Sequence, residues 1–209
     1  MHFEDTIRGR RSIRRYKDKK VPLSLVGEIL DLAKHAPSSG NLQNWKFVIV
    51  TDSEMRQQLA EAALEQYWMV EAPIYIVICN DYKTVKDHYA ELGKMYSIQN
   101  CANVAYAIQL AAYDLGLGSC WVGAFDNEKV QQLLEIPDDI DPEIIITLGY
   151  SQDMKAEQIR DQIKYFCYFD KWGKKVKKFP LEHEKISYKA KKEIEEFKKK
   201  LSKIKKRKK

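Results

Sequence analysis

The 209-residue chain has only four cysteines, Cys79, Cys101, Cys120 and Cys167, widely spaced and with no CxxC pair among them. No histidine flanks them at ligand spacing, so neither a zinc site nor a disulfide framework is expected, and no metal is assigned. The four histidines, His2, His35, His88 and His183, are scattered, and none pairs with an evident nucleophile. GxSxG, HExxH and P-loop lysine motifs are all missing. A hydrolase triad is therefore unsupported, and the absence points to chemistry supplied by a bound organic cofactor, with no catalytic side chain assigned. Long apolar runs are lacking as well: residues 74–79 fall far short of the roughly 20 that a membrane-spanning helix requires. Residues 1–5 run straight into arginines without an apolar stretch, so no secretory signal is expected. The chain reads as a reduced, soluble, cytoplasmic protein with no membrane span.

Acidic charge is scarce at one end. Residues 174–209 hold 17 Lys+Arg against 5 Asp+Glu, a net of +12, whereas residues 1–173 hold 19 against 25, a net of −6. The formal charge of +6 thus averages an acidic body, 1–173, and a basic extension, 174–209. With 44% hydrophobic and 11% aromatic residues the body has ample apolar surface for one ordinary domain.

Periodicity predicts the elements. Leu25, Val26, Ile29, Leu30, Leu32 and Ala33 recur at helical spacing behind Pro22, with Ser24 as N-cap and a stop near Pro37. WKFVIVT (45–51) is a strand, and Asp52-Ser53 opens a helix over 54–69. IYIVIC (74–79) is a strand without alternation, which implies burial on both faces. A helix over 95–115, dense in small residues, reads as surrounded on all sides. A strand or extended segment is expected over 119–125, further strands over 143–148 and 165–169, and a short helix over 127–134. Strands separated by helices indicate an α+β or α/β sheet domain. In the extension, Ile186, Ala190, Ile194, Phe197, Leu201 and Ile204 draw one apolar stripe down a helix.

Three constellations carry chemistry. Residues 8–16, RGRRSIRRY, put five arginines and a hydroxyl within eight positions. Guanidinium forks meet phosphate bidentately, although the charges alone equally describe a solvated basic turn. Residues 36–45, APSSGNLQNW, place two hydroxyls and an amide on a loop between helix and strand, able to hydrogen-bond a heterocycle's carbonyl and imide edge or simply to cap the helix. In GLGSCWVGAF, 116–125, the glycines allow close approach to a flat ligand, but the run does not match GxGxxG and follows a helix, so a dinucleotide-binding turn is unsupported.

Taken together, RRSIRRY (10–16), APSSGNLQNW (36–45), QYWMVEAP (66–73), GLGSCWVGAF (116–125) and IPDD…IIITLGY (136–150) resemble, in order and spacing, the nitroreductase family of FMN-dependent oxidoreductases over about residues 3–173. The resemblance implies an α+β fold, an intertwined homodimer with FMN at the interface, and NAD(P)H as co-substrate. By the same resemblance Arg10 matches the first phosphate-binding arginine, with Arg11, Ser12 and Arg14 completing the phosphate and ribityl contacts. Pro37, Ser38, Ser39 and Asn41 match the loop that edges the isoalloxazine ring, normally from the partner subunit. Gln66 falls where an amide faces the flavin's pyrimidine edge. Trp121, Val122, Gly123 and Ala124 match the segment whose backbone N–H reaches flavin N5, and Arg160 stands where a second phosphate-binding base is usual. The implied reaction is a ping-pong transfer of hydride from NAD(P)H by way of flavin N5 to a nitroaromatic, quinone or similar small-molecule acceptor.

Two positions depart from the family's pattern: Asn44 stands where proline commonly precedes the tryptophan, and Ser151 where proline often follows Gly-Tyr. Residues 80–95 are expected to form the variable lid, with Tyr82, His88, Tyr89 and Tyr96 packed beneath it. The alternatives are a reductive dehalogenase or flavin-fragmenting enzyme on the same fold, and a nucleic-acid or anionic-membrane function housed in the basic extension. A Lys-rich helix is more often a solvated face docked by its apolar stripe, so nucleic acid is not the expected partner.

Overall fold

The computed structural model describes residues 2–152 and 159–175, and the chain divides into two compact units, Met1–Glu157 and Gln158–Lys209. The first unit is a mixed helix and sheet domain, with helices α1 (Phe3–Gly9), α2 (Leu23–Ala33), α3 (Ser53–Ala62), α4 (Tyr82–Tyr89), α5 (Gly93–Asp114) and α6 (Asn127–Leu133) and strands β1 (Trp45–Val50), β2 (Ile74–Asn80), β3 (Gly118–Val122) and β4 (Asp141–Gly149). The strands form one sheet in the order β1-β2-β4-β3, antiparallel throughout.

All seven residues of β2 are buried, as its unalternating sequence implies. The pleat sends successive side chains to opposite faces. Ile74, Ile76 and Ile78 join Ile144, Ile146 and Leu148 in one core under α2 and α5. Tyr75, Val77 and Cys79 join Ile145 in a second core with Leu59, Val130, Ile13 and Tyr16. Each fully buried aliphatic side chain contributes about 1.5–3 kcal/mol, so the two faces together anchor the domain.

Four expectations change. Helix α2 starts at Leu23 with Pro22 as its N-cap and no side-chain cap, because the proline's own carbonyl already accepts from the Leu25 N–H at 3.0 Å, which leaves Ser24 inside the first turn. Helix α3 ends at Ala62 and does not reach residue 69: Leu64 and Glu65 adopt positive φ, the chain reverses, and a 3-10 turn occupies Tyr67–Glu71. Helix α5 is not surrounded on all sides within this chain. Ser97, Asn100, Cys101, Val104, Ala105, Ile108 and Ala112 are buried, while Met95, Ile98 and Tyr106 on other faces stay 40–47% exposed. Its buried stripe, small residues together with Val104 and Ile108, faces the core, while Met95, Ile98 and Tyr106 do not, a division that composition averages away. In the second unit, 165–169 is not a strand. A 3-10 turn spans Ile163–Tyr165, and the Tyr168 and Trp172 rings meet 4.6 Å apart. The apolar stripe of residues 186–204 lies outside the described residues.

Candidate functional site

Residues 10–17 run as a strap along the free edge of the sheet. Ser12 bridges Ser119 in parallel, the Ile13 N–H donates to the Ser119 carbonyl at 2.9 Å, and Tyr16 bridges Ser151. The Lys17 N–H donates to Tyr150 and the Gln152 N–H to Arg15, so the main chain grips the strap along its length. Two glycines allow it to lie this close. A Cβ at Gly118 would sit 2.7 Å from the Ile13 side chain, and one at Gly149 would sit 2.8 Å from the Tyr16 ring. The Tyr16 hydroxyl donates to the Ile13 carbonyl (2.8 Å) and meets the Thr147 hydroxyl (2.7 Å) inside the core. Burial pushes this phenol far above the ordinary tyrosine range, with the Thr147 bond partly opposing, so it is a neutral structural anchor. The Glu71 carboxylate accepts from the Tyr16 N–H at 3.0 Å.

This anchoring turns arginines outward from a rigid base. Arg14 is exposed and its guanidinium lies 5.5 Å from the Trp68 ring centroid, a cation–π contact. Arg11 folds its guanidinium back onto the Arg8 (2.5 Å) and Arg10 (2.8 Å) carbonyls, which orients the turn that presents Arg10. Arg10 and Ser12 are half-buried.

Past the last β3–β4 pair, Val122 with Ile145, the chain emerges at Gly123 and Ala124, both exposed. Val122 points into the core, so only its main chain is available at the surface, whereas Trp121 is 37% exposed. The Gln66 amide donates to the Ala63 (2.8 Å) and Ala124 (3.1 Å) carbonyls and ties this segment to the end of α3. The structure therefore gathers Arg10, Arg11, Ser12 and Arg14, together with Gln66 and residues 121–124, along the β3 edge.

The loop with Pro37, Ser38, Ser39 and Asn41 sits elsewhere. Ser12 pairs with Ser119, which pairs with Leu148, which pairs with Ile74 at one end of β2, whereas Trp45, directly after the loop, pairs with Asn80 at the other end. Seven residues of strand separate those ends, about 20 Å. The loop turns tightly, with Gly40, Asn41 and Gln43 at positive φ. Ser38 Oγ accepts from the Gln43 N–H (3.1 Å), and the Pro37 carbonyl accepts from the Asn103 amide (3.1 Å). Residues 80–95 are largely helical: α4 occupies half of them and buries Val85, a 3-10 turn spans Ala90–Leu92, and a Cβ at Gly93 would fall 2.4 Å from the Lys86 backbone. Tyr89 stands edge-on to Tyr96, centroids 5.1 Å apart, and its hydroxyl would be 2.9 Å from a Cβ at Gly40, so it backs the loop. Arg160 is exposed in the second unit.

The sequence reading missed the polar groups that hold these segments: Tyr16 with Thr147, and a buried set of Asn44, Asn80, Ser97 and Asn100, each no more than 2% exposed. Their one sequence signal is a polar residue set into or against an apolar run, as Thr147 is in IIITL and Asn80 after IYIVIC. Among the described residues no group of three metal-ligating side chains occurs, and no helix is long and apolar enough to cross a membrane.

A model of the nitroreductase family matches residues 7–68 and 63–150. A protein of Archaeoglobus fulgidus, provisionally named an NADH dehydrogenase/NAD(P)H nitroreductase, is 37% identical over 150 residues, which span 70% of this chain and 83% of that protein. The NADH dehydrogenase of Thermus thermophilus is 33% identical over 171 residues, 68% of this chain and 82% of its own. Among solved structures, an FMN-dependent nitroreductase from Clostridium difficile superposes with a TM-score of 0.71 at 30% identity, covering 81% of this chain and 99% of that one.

Proposed function

Because this chain belongs to the nitroreductase family, we propose that it is an FMN-dependent NAD(P)H oxidoreductase that reduces nitroaromatic, quinone or similar small acceptors in a ping-pong order. The observation that carries this reading is the arginine strap clamped to the β3 edge beside the open main chain of Gly123 and Ala124. The donor set fits a phosphorylated flat heterocycle: guanidinium groups and a hydroxyl at one part of the edge, and unladdered backbone with a half-exposed indole at the other.

Bound FMN supplies hydride acceptance and donation at its N5. The chain's own residues bind and orient. Arg10 and Arg14 neutralise the phosphate with Ser12 beside them, and Arg11 holds the turn. Main-chain N–H groups of residues 122–124 offer fixed dipoles that favour electron-rich ring atoms. Gln66 holds that segment through the Ala124 carbonyl. Arg160 is the candidate for a second phosphate contact. NAD(P)H and the acceptor occupy one face in turn, which is why no separate dinucleotide-binding motif is needed.

The same reading calls for a homodimer. The strap and the Pro37–Gln43 loop lie at opposite ends of one sheet, so a second copy must bring its loop to this copy's strap if both are to hold one ring. The exposed Met95, Ile98 and Tyr106 of α5 provide apolar surface for that partner.

The purified protein is expected to be yellow or to take up added FMN, and NADH or NADPH is expected to bleach its flavin band anaerobically. A protein that stays colourless with FMN present overturns the reading. Absence of a burst of product when the pre-reduced protein meets a quinone or nitroaromatic overturns the ping-pong order.

A further inference from the structure

The buried amides behind the Ser38–Asn41 loop form a chain with one direction. Glu143 Oε1, on β4, accepts from Asn80 Nδ2 at 2.7 Å, and Asn80 Nδ2 also reaches Ser97 Oγ at 3.1 Å. Asn80 Oδ1 then accepts from Asn44 Nδ2 (2.7 Å), and Asn44 Oδ1 from Asn100 Nδ2 (2.7 Å). Asn100 Oδ1 finally accepts both the backbone N–H (2.9 Å) and the hydroxyl (3.2 Å) of Ser39. Four elements, β4, β2, the loop and α5, are joined through Asn80, Asn44, Ser97 and Asn100, which are almost wholly buried, and Glu143, which is half-buried.

Chemistry sets the direction. A carboxylate accepts and an amide NH2 donates, so Asn80 must turn its nitrogen toward Glu143 and Ser97. Its oxygen is then left for Asn44, whose oxygen is left for Asn100, whose oxygen is left for Ser39. Ser97 reinforces the order, because its own proton goes to the Lys94 carbonyl at 2.8 Å and its oxygen is free to accept. Reversing any one amide would set oxygen against oxygen in a buried site, at a cost of about 1–3 kcal/mol for each group left unsatisfied. The proton of the Ser39 hydroxyl is thus committed to Asn100, and toward the surface that hydroxyl retains only lone pairs.

We propose that this chain is a positioning relay: Glu143, Asn80, Asn44 and Asn100 hold the loop and fix the Ser39 hydroxyl as an acceptor, matched to the imide N–H on the pyrimidine edge of the flavin. The proposal rests on the FMN reading above and specifies how one edge of the ring is recognised. Asn44, at a position where the family's pattern commonly has proline, is the middle link. A proline side chain has no amide and would leave Asn80 and Asn100 without this partner. None of the four relay residues needs to touch the ring; Ser39 does.

The test compares FMN with its N3-methyl analogue, which lacks the imide proton, by fluorescence titration on the full chain and on Asn100→Ala. The unaltered protein is expected to prefer FMN by about tenfold, the equivalent of one buried hydrogen bond. In Asn100→Ala, where the Ser39 proton is released, that preference is expected to shrink to about threefold or less. In the cofactor-free proteins, amide exchange at Ser39 and Asn41 is expected to accelerate in the variant while the β2 amides stay protected. Asn44→Ala, which cuts the relay one link further from the loop, serves where Asn100→Ala does not fold and is expected to act in the same direction. Equal discrimination in variant and unaltered protein, or unaltered exchange at Ser39, overturns the relay. An unaltered protein that binds both flavins equally also overturns it, whereas one that binds neither sinks the FMN reading itself.

Discussion

The two ends of the sheet solve one problem in different ways. At the β3 edge an irregular strap is held by its own main chain, through bonds from Ile13 to Ser119 and from Lys17 to Tyr150, with the Tyr16 phenol as a rivet. At the β1–β2 end an irregular loop is held by side chains, through Asn100, Asn44 and Asn80. Main-chain pairing tolerates most side chains, so the strap is free to carry four arginines. Side-chain pairing tolerates few substitutions, but it can dictate which atom of a hydroxyl faces outward. In the proposed site the strap therefore delivers charge and the loop delivers hydrogen-bond direction.

The sharpest way to break the contrast is to remove the rivet. Tyr16→Ala leaves a cavity between strap and sheet and is expected to cost about 3–5 kcal/mol in urea unfolding. Tyr16→Phe, which keeps the ring, removes the Ile13 carbonyl's side-chain partner and leaves the Thr147 hydroxyl only its longer bond to the Cys120 carbonyl, should cost about 1–2 kcal/mol. Equal losses for both variants would place the anchoring in the hydrogen bonds and not in the packing.

Alkaline titration separates the two ends next. Burial raises the Cys79 thiol from 9.0 to about 11 and raises Cys101 further, the latter also through nearby Glu143 and Cys79, and both sit behind the loop end. A thiol whose folded pKa exceeds its unfolded one contributes stability that is complete below about pH 9 and lost as pH climbs through the folded value. Stability is therefore expected to be flat to about pH 9 and to fall by about 1–3 kcal/mol by about pH 10, above which the Tyr16 and Tyr75 phenols, both raised by burial, add to the decline. Cys79→Ala should flatten part of that decline. A decline of the same slope in this variant would assign the sensitivity to the strap instead.

The smallest expected effect is at Trp68, which supports Arg14 through its ring. Trp68→Leu is expected to weaken FMN binding by about two- to fivefold, the scale of an exposed cation–π contact. Isothermal titration with FMN and with riboflavin checks this, since only the phosphorylated ligand should sense the change. An equal loss for riboflavin would show that Trp68 acts on the ring region and not through Arg14.

Much of the site was legible residue by residue. The arginine cluster, the Ser-Ser-Gly-Asn loop and the glycine-flanked 116–125 segment stand out because each is a dense local departure from ordinary composition. Strands β1, β2 and β4 were legible because their apolar residues are contiguous. The end of the helix expected over 54–69 is not legible because no glycine or proline at 64–65 announces a left-handed turn; Leu64 and Glu65 adopt it, and the Gln66 N–H closes the helix end on the Ala60 carbonyl. The environment of α5 is not legible from composition, because the buried stripe (small residues with Val104 and Ile108) and the exposed Met95, Ile98 and Tyr106 share one apolar character.

By itself the sequence determined the α+β class and the family, and it singled out the side chains proposed to hold a phosphorylated cofactor. All of these follow from short-range pattern and motif order, which need no knowledge of what lies across the sheet. Only the tertiary structure decided which residues share an end of the sheet, why Arg11 braces the strap, and how Glu143 governs Ser39 from 104 positions away in the chain. Those depend on strand register and on hydrogen bonds between distant segments, and a buried amide finds its partner and its direction only after the chain has closed around it.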